Sequence, residues 1–204
     1  MTTSTARSSA RGTSDVRQGI LDVGQRIMAA KGYSAVGLNE ILAAAGVPKG
    51  SFYHYFGSKD AFGEALLEDY FEGYLADIDR VLAEPGLTMG ERLMNYWRIW
   101  QDTQSFHDCQ GKCLAVKLGV EVADLSEPMR AVLKRGTSGI TDRLASAIEA
   151  GNADGSLPEC GDPHAVAQSL YQLWVGASVM VKIEKSPAPF QMAMATTRVI
   201  LRLP

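Results

Sequence analysis

Apolar residues recur three and four positions apart along nearly the whole chain, and no stretch alternates with the period of two that a half-buried strand needs. The spacing predicts about nine helices and an all-α fold. Ile20, Val23, Ile27 and Ala30 share one face of a first helix from Ser14 to Lys31, which Gly32 stops. A second helix runs from Gly37 to Ala45 and ends at Gly46. Pro48 suits the first turn of a third, where its missing N–H has no partner to lose. Ser58 is an N-cap for a long fourth helix reaching Leu82, broken by Glu84-Pro85-Gly86. Thr88 to Phe106, Lys112 to Val122, a helix opened by Ser126-Glu127-Pro128 and closed by Gly151, Pro163 to Ile183, and Pro189 to Leu201 complete the set. No internal repeat and no long low-complexity linker interrupts them. Three regions result: a disordered arm over residues 1–13, a small helical module over 14–60, and a larger helical body over 61–204.

Charge separates the same regions. The net charge is −3, but residues 1–60 hold seven Lys and Arg against four Asp and Glu, while the remainder holds thirteen against nineteen. A basic head on an acidic body fits a nucleic-acid-binding module joined to a part that does not bind nucleic acid. No apolar run approaches the roughly 18–20 residues of a membrane span, so a soluble chain without membrane contact is expected. The first residues lack the apolar segment of a secretory signal, and Arg7 and Arg11 suit phosphate or minor-groove contact. Three cysteines, an odd number with no such signal, fit reduced thiols in the cytoplasm.

The stretch Ile41 to Phe62, ILAAAGVPKGSFYHYFGSKDAF, reads as two short helices joined by a tight turn with glycine. Phe52, Tyr55 and Phe56 anchor the second helix inward. Lys49, Ser51, Tyr53 and His54 are left outside, and Gly50 lets backbone approach a phosphate. Tyr53 and His54 suit phosphate oxygens, and Lys49 and Ser51 suit base edges or backbone. Lys59 opens the fourth helix, whose N-terminus favours a phosphate.

The run AGVPKGSFYHYFGSK strongly resembles the hallmark of the TetR family of bacterial transcriptional regulators. The resemblance implies an N-terminal helix-turn-helix reading double-stranded operator DNA through Lys49, Gly50, Ser51, Tyr53, His54 and Lys59. Val36-Gly37 stands where many members carry Thr-Thr or Thr-Ser, so Asn39 is the substitute for the missing hydroxyl. It also implies a homodimer in which each copy reads half of a near-palindrome. The candidate interface is Pro163–Ile183 with Pro189–Leu201, where Leu170, Leu173, Trp174, Ala177 and Val181 are too apolar for an exposed face.

A second signal is KCLAVKL. Cys113 falls in the first turn of a helix with Lys112 beside it and Lys117 four residues on, a setting that lowers a thiol pKa. The competing reading is a small buried hydrophobe. Together, KCLAVKLGVEVADLSEPMR and LYQLWVGASVMVKI are similar to the branch of the family that contains the N-ethylmaleimide-responsive repressor and the acrylate-responsive regulators. That similarity implies a cysteine that meets electrophiles or oxidants, or one that borders a small-molecule pocket. Lys112 replaces the usual glycine there.

Lys182, a cation within VGASVMVKI, is expected beside Cys113 or an effector's carboxylate or carbonyl, or else at the surface. Tyr96, Trp97, Trp100, Tyr171 and Trp174 are candidate pocket walls, with core packing the alternative. His107, Cys109 and Cys113 give H-x-C-x3-C, but no fourth ligand is evident and the spacing fits no standard zinc site. Cys109 as a partner for oxidised Cys113 needs a backbone that is not regular helix. Cys160 reads as incidental. No nucleophile–His–acid set and no Gly-rich phosphate loop stands out, so neither a catalytic residue nor a cofactor is assigned. Three functions stay open: a repressor released by modification of Cys113, a repressor induced reversibly by a small molecule such as an unsaturated acid, and, more distantly, a thiol enzyme.

Overall fold

The computed structural model describes residues 5–103 and 114–203, with side chains from residue 15 onward. Its described residues form helices joined by turns, with no strand. In chain order these are α1 (Thr5–Lys31), α2 (Leu38–Ala45), α3 (Lys49–Phe56), α4 (Lys59–Leu82), α5 (Met89–Thr103), α6 (Leu114–Leu125), α7 (Glu127–Ala153), α8 (Pro163–Glu184) and α9 (Ala188–Ile200).

The boundaries follow from local chemistry. Ser58, Ser126 and Asp162 each cap the helix they precede, their side-chain oxygens accepting from the N–H of Ala61, Met129 and Ala165. Gly46 closes α2 in the left-handed region, at φ 65°, where a side chain would be strained. Pro48 stands one position earlier than expected, as the extended N-cap of α3 rather than in its first turn.

α1 departs most from expectation. It begins at Thr5 and not near Ser14, so residues 5–13 of the expected disordered arm are helix. The reason is compositional: the segment holds Ala6, Arg7, Ala10 and Arg11, which favour helix, and no proline. Residues 1–4, and the side chains of Arg7 and Arg11, lie outside what is described.

α4 and α7 lie side by side at the centre. Their approach is set by Gly136, where an added Cβ would come within 2.2 Å of the Phe71 ring. Arg143 spans the same pair at its edge, its guanidinium giving two hydrogen bonds to Asp79, at 2.6 and 3.0 Å. α8 rests on the other side of α7, and α9 lies along α8.

The periodicity of α8 is misleading. Leu170, Trp174, Ala177 and Val181 are buried and Leu173 is half-buried, so the stripe expected at a dimer interface forms the core of the subunit instead. A helix apolar on both faces does not announce which face turns inward. The opposite face exposes Val179, Met180 and Ile183, and neighbouring α9 exposes Met192 and Val199.

Gly136→Ala should therefore destabilise the fold by about 1–3 kcal/mol through overpacking. Gly73→Ala, on the exposed side of α4 with open space at its Cβ, should stabilise it by about 0.5–1 kcal/mol. Thermal unfolding of the two variants against wild type checks both signs.

Candidate nucleic-acid interface

Two eight-residue helices, α2 and α3, meet across the Gly46 turn. Neither is long enough to persist alone in water. Aromatic packing holds α3: Phe52 and Phe56 are buried, and their rings lie 5.3 and 4.9 Å from that of Phe62 at the start of α4. The Arg17 guanidinium of α1 sits over the Phe56 ring at 5.3 Å.

With that face fixed, the opposite one is free. Lys49, Gly50, Tyr53 and His54 are exposed, Tyr53 to 45 %, and Ser51 is half-buried at the edge. The Lys49 ammonium lies 5.8 Å from the Tyr53 ring centroid, so cation and phenol share one patch. Nothing stands within 4 Å of a Cβ placed on Gly50. Asn39 is exposed in the first turn of α2. These six residues lie on the two short helices of one module, with a donor-rich surface on α3 suited to an anionic backbone.

Lys59 behaves differently. Its Nζ donates to the Tyr33 carbonyl at 3.0 Å and lies 4.4 Å from the Tyr33 ring centroid. This turns the lysine toward the α1–α2 loop rather than outward. Tyr33 is the hub there. Its hydroxyl donates to Asp60 at 2.7 Å, and its ring packs against Gly63 of α4, where a Cβ would come within 2.8 Å of it.

From the body, Glu121 of α6 reaches the same loop. Its carboxylate accepts from the backbone N–H of Tyr33 at 3.0 Å and of Ser34 at 2.7 Å. The Ser34 hydroxyl, both N–H groups and the Lys59 charge hold Glu121 below the usual carboxylate range, burial opposing them. Burial, then the hydrogen bond and charge of Asp60, then Glu121, push the Tyr33 phenol well above the usual tyrosine value. Sequence reasoning found neither Tyr33 nor Glu121. The one available hint was Glu121 as a single acid within the apolar run LGVEVA.

The tryptophans divide. Trp97 and Trp174 are buried and stacked, centroids 5.0 Å apart, and the Trp174 indole N–H donates to Thr197 at 2.9 Å. Both pack in the aromatic core, Trp174 lying between the Trp97 and Phe190 rings. Trp100, whose N–H donates to Ser178 at 3.0 Å, borders a cleft of about 480 Å³ between α4 and α5 together with Tyr70, Tyr74 and Tyr96. Tyr171 is buried, its ring edge-on to Trp100.

Lys182 is half-buried in the last turn of α8. Cys113, with Cys109 and His107, lies outside the described residues; α6 begins at the next position, Leu114, and packs against α8. Cys160 is half-buried in the α7–α8 loop. Among the described residues no group of His, Cys, Asp and Glu is placed to hold a metal ion. No described helix is long and apolar enough to cross a membrane.

A two-helix reader on a helical body is the architecture of a one-component helix-turn-helix regulator. The description "Bacterial regulatory proteins, tetR family" fits residues 20–66, and "Tetracyclin repressor-like, C-terminal domain" fits residues 90–197. The chain belongs to the TetR family, whose members bind operator DNA and act as dimers.

Among its relatives, the HTH-type transcriptional repressor NemR of Escherichia coli is 38% identical over 93% of this chain and 96% of its own. The transcriptional regulator AcuR of Cereibacter sphaeroides is 36% identical over 84% and 78%. The crystal structure of E. coli NemR in its reduced form superposes with a TM-score of 0.88 over 93% of this chain and 98% of that one.

Tyr33 gives a test of the junction. The folded phenol keeps its proton above pH 10.0, where the unfolded one begins to lose it. Its contribution is therefore complete below that pH and shrinks above it. Tyr33→Phe should cost about 1 kcal/mol at pH 8, and the gap to wild type should narrow as the pH rises from 10.0. Urea unfolding across that range measures it.

Proposed function

We propose that this chain is a bacterial, cytoplasmic transcriptional repressor whose dimer leaves its operator when an electrophile or oxidant modifies Cys113. The observation that carries this reading is the likeness, over nearly the whole of both chains, to a repressor whose solved structure is described as its reduced form. Lys49, Gly50, Ser51, Tyr53, His54 and Asn39 meet the DNA. Lys59 serves mainly by bracing the α1–α2 loop through its bond to Tyr33. The dimer forms through the outward face of α8 and α9, where Val179, Met180, Ile183, Met192 and Val199 are exposed together. Association would remove that apolar area from water.

Lys182 stands on α8, against which α6 packs. An ammonium there would stabilise the Cys113 thiolate and make it the better nucleophile. Lys182→Met should then raise the thiol pKa of Cys113, measured by the pH dependence of alkylation. An unchanged pKa removes Lys182 from the sensor.

A second reading has a specific observation behind it. The cleft bordered by Tyr70, Tyr74, Tyr96 and Trp100 has room for a small organic molecule. A reversible inducer such as an unsaturated acid would bind there without a covalent bond. A thiol enzyme is the distant alternative. Turnover of a thiol-reactive compound independent of DNA would be its sign.

Titration of promoter DNA with wild type and Cys113→Ser, each with and without N-ethylmaleimide, separates the first two. The covalent reading expects the reagent to release wild type and leave Cys113→Ser bound. A reversible inducer such as an unsaturated acid, added in place of the maleimide, should release both proteins alike, whereas release of Cys113→Ser by the maleimide itself would put the reactive thiol elsewhere. For the DNA face, Lys49→Ala should weaken operator binding by about 1–3 kcal/mol. Tyr53→Phe, losing one phosphate donor, should weaken all sequences alike by about 1 kcal/mol. Fluorescence anisotropy on specific and scrambled duplexes distinguishes the two patterns.

A further inference from the structure

The geometry points to Glu121 as a positioning residue: its carboxylate latches α6 onto the α1–α2 loop and so fixes the DNA-reading module on the helical body. The module also rests on the body through α1, which packs against α4 and α6 and donates from Gln18 to Asp69 at 3.1 Å. Those contacts hold α1; the α1–α2 loop, next to the reading helices, is held to α6 by Glu121.

Gly32 leaves α1 at φ +91°, and this turn points the next two N–H groups, of Tyr33 and Ser34, the same way. Two successive backbone donors form a concavity that binds an anion. Here the anion is the α6 carboxylate, with one oxygen on each N–H. The fit is close: a Cβ on Gly32 would lie 3.1 Å from Glu121 Oε2. Lys59 approaches from the α4 side, bonded to the Tyr33 carbonyl, and its charge favours the ionised latch. Loop, α4 and α6 are thus tied at one residue, Tyr33.

Such a latch matters for a two-fold reader. Two recognition helices engage two half-sites together only if their separation matches the DNA. Loosening each module lowers the effective concentration of the second at its half-site, while leaving a single module's fit to a single half-site alone. α6 starts at Leu114, roughly 10 Å of helix rise from Glu121, so a displacement of that end would reach the latch along one rigid helix.

The inference rests on the dimeric DNA-binding reading, and its test separates the two. An operator is selected from random duplexes with wild-type protein. Affinity is then measured for the full operator and for a duplex holding one half-site. Wild type should prefer the full operator; equal binding to both would remove the two-fold reading and the latch with it. Glu121→Ala should lose about tenfold on the full operator with no change on the half-site. Glu121→Gln, which keeps one acceptor oxygen, should fall between.

Amide exchange at Tyr33 and Ser34 should quicken in Glu121→Ala while the α4 and α7 core stays protected. A variant that weakens on both duplexes equally has a damaged module, and one that weakens on neither has no latch. Either result overturns the proposal.

Discussion

An eight-residue helix placed in water without support unravels, and the whole function of this chain rests on one such helix staying folded. The support for α3 is aromatic. Phe52 and Phe56 bury against Phe62, and the Arg17 guanidinium lies over the Phe56 ring. That contact does two things at once. It commits three aromatic residues to the interior, and it leaves Lys49, Tyr53 and His54 nowhere to go but outward. The exposed polar face of α3 is therefore a by-product of the anchor.

The next requirement is that the anchored module keep its place on the body. The structure meets it at Tyr33, where a phenol, a lysine and two carboxylates converge on a single loop. Charged groups in such a cluster stabilise one another only when each has a hydrogen-bond partner, and Asp60, Lys59 and Glu121 each have one. By contrast, the centre of the body is held by shape. Gly136 lets α4 and α7 close to contact distance, and stacked Trp97 and Trp174 fill the space toward α8 and α9. A polar joint thus adjoins an apolar frame.

Most of the fold was legible in the sequence because its boundaries are written in single residues. Ser58, Ser126 and Asp162 begin helices and Gly46 ends one, and each acts through a hydrogen bond or a backbone angle that only a few residue types satisfy. Which side of α3 is buried was legible too, since Phe52 and Phe56 stand at helical spacing among polar residues. Three things were not. The early start of α1 depends on weak propensities rather than on a cap. The orientation of α8 depends on its neighbours, because both of its faces are apolar. Glu121 was hidden because a lone acid on a helix reads as solvated, and its partners are backbone N–H groups nearly ninety positions away, which carry no side-chain signature.

The proposed function is that of a paired DNA reader released at a thiol. Hydroxyl-radical footprinting on the operator, before and after N-ethylmaleimide, tests that most directly. The account predicts two protected patches on one face of the duplex, about one helical turn or a multiple of it apart, which disappear together once the thiol is alkylated. A single patch, or two that persist after complete alkylation of Cys113, would contradict it.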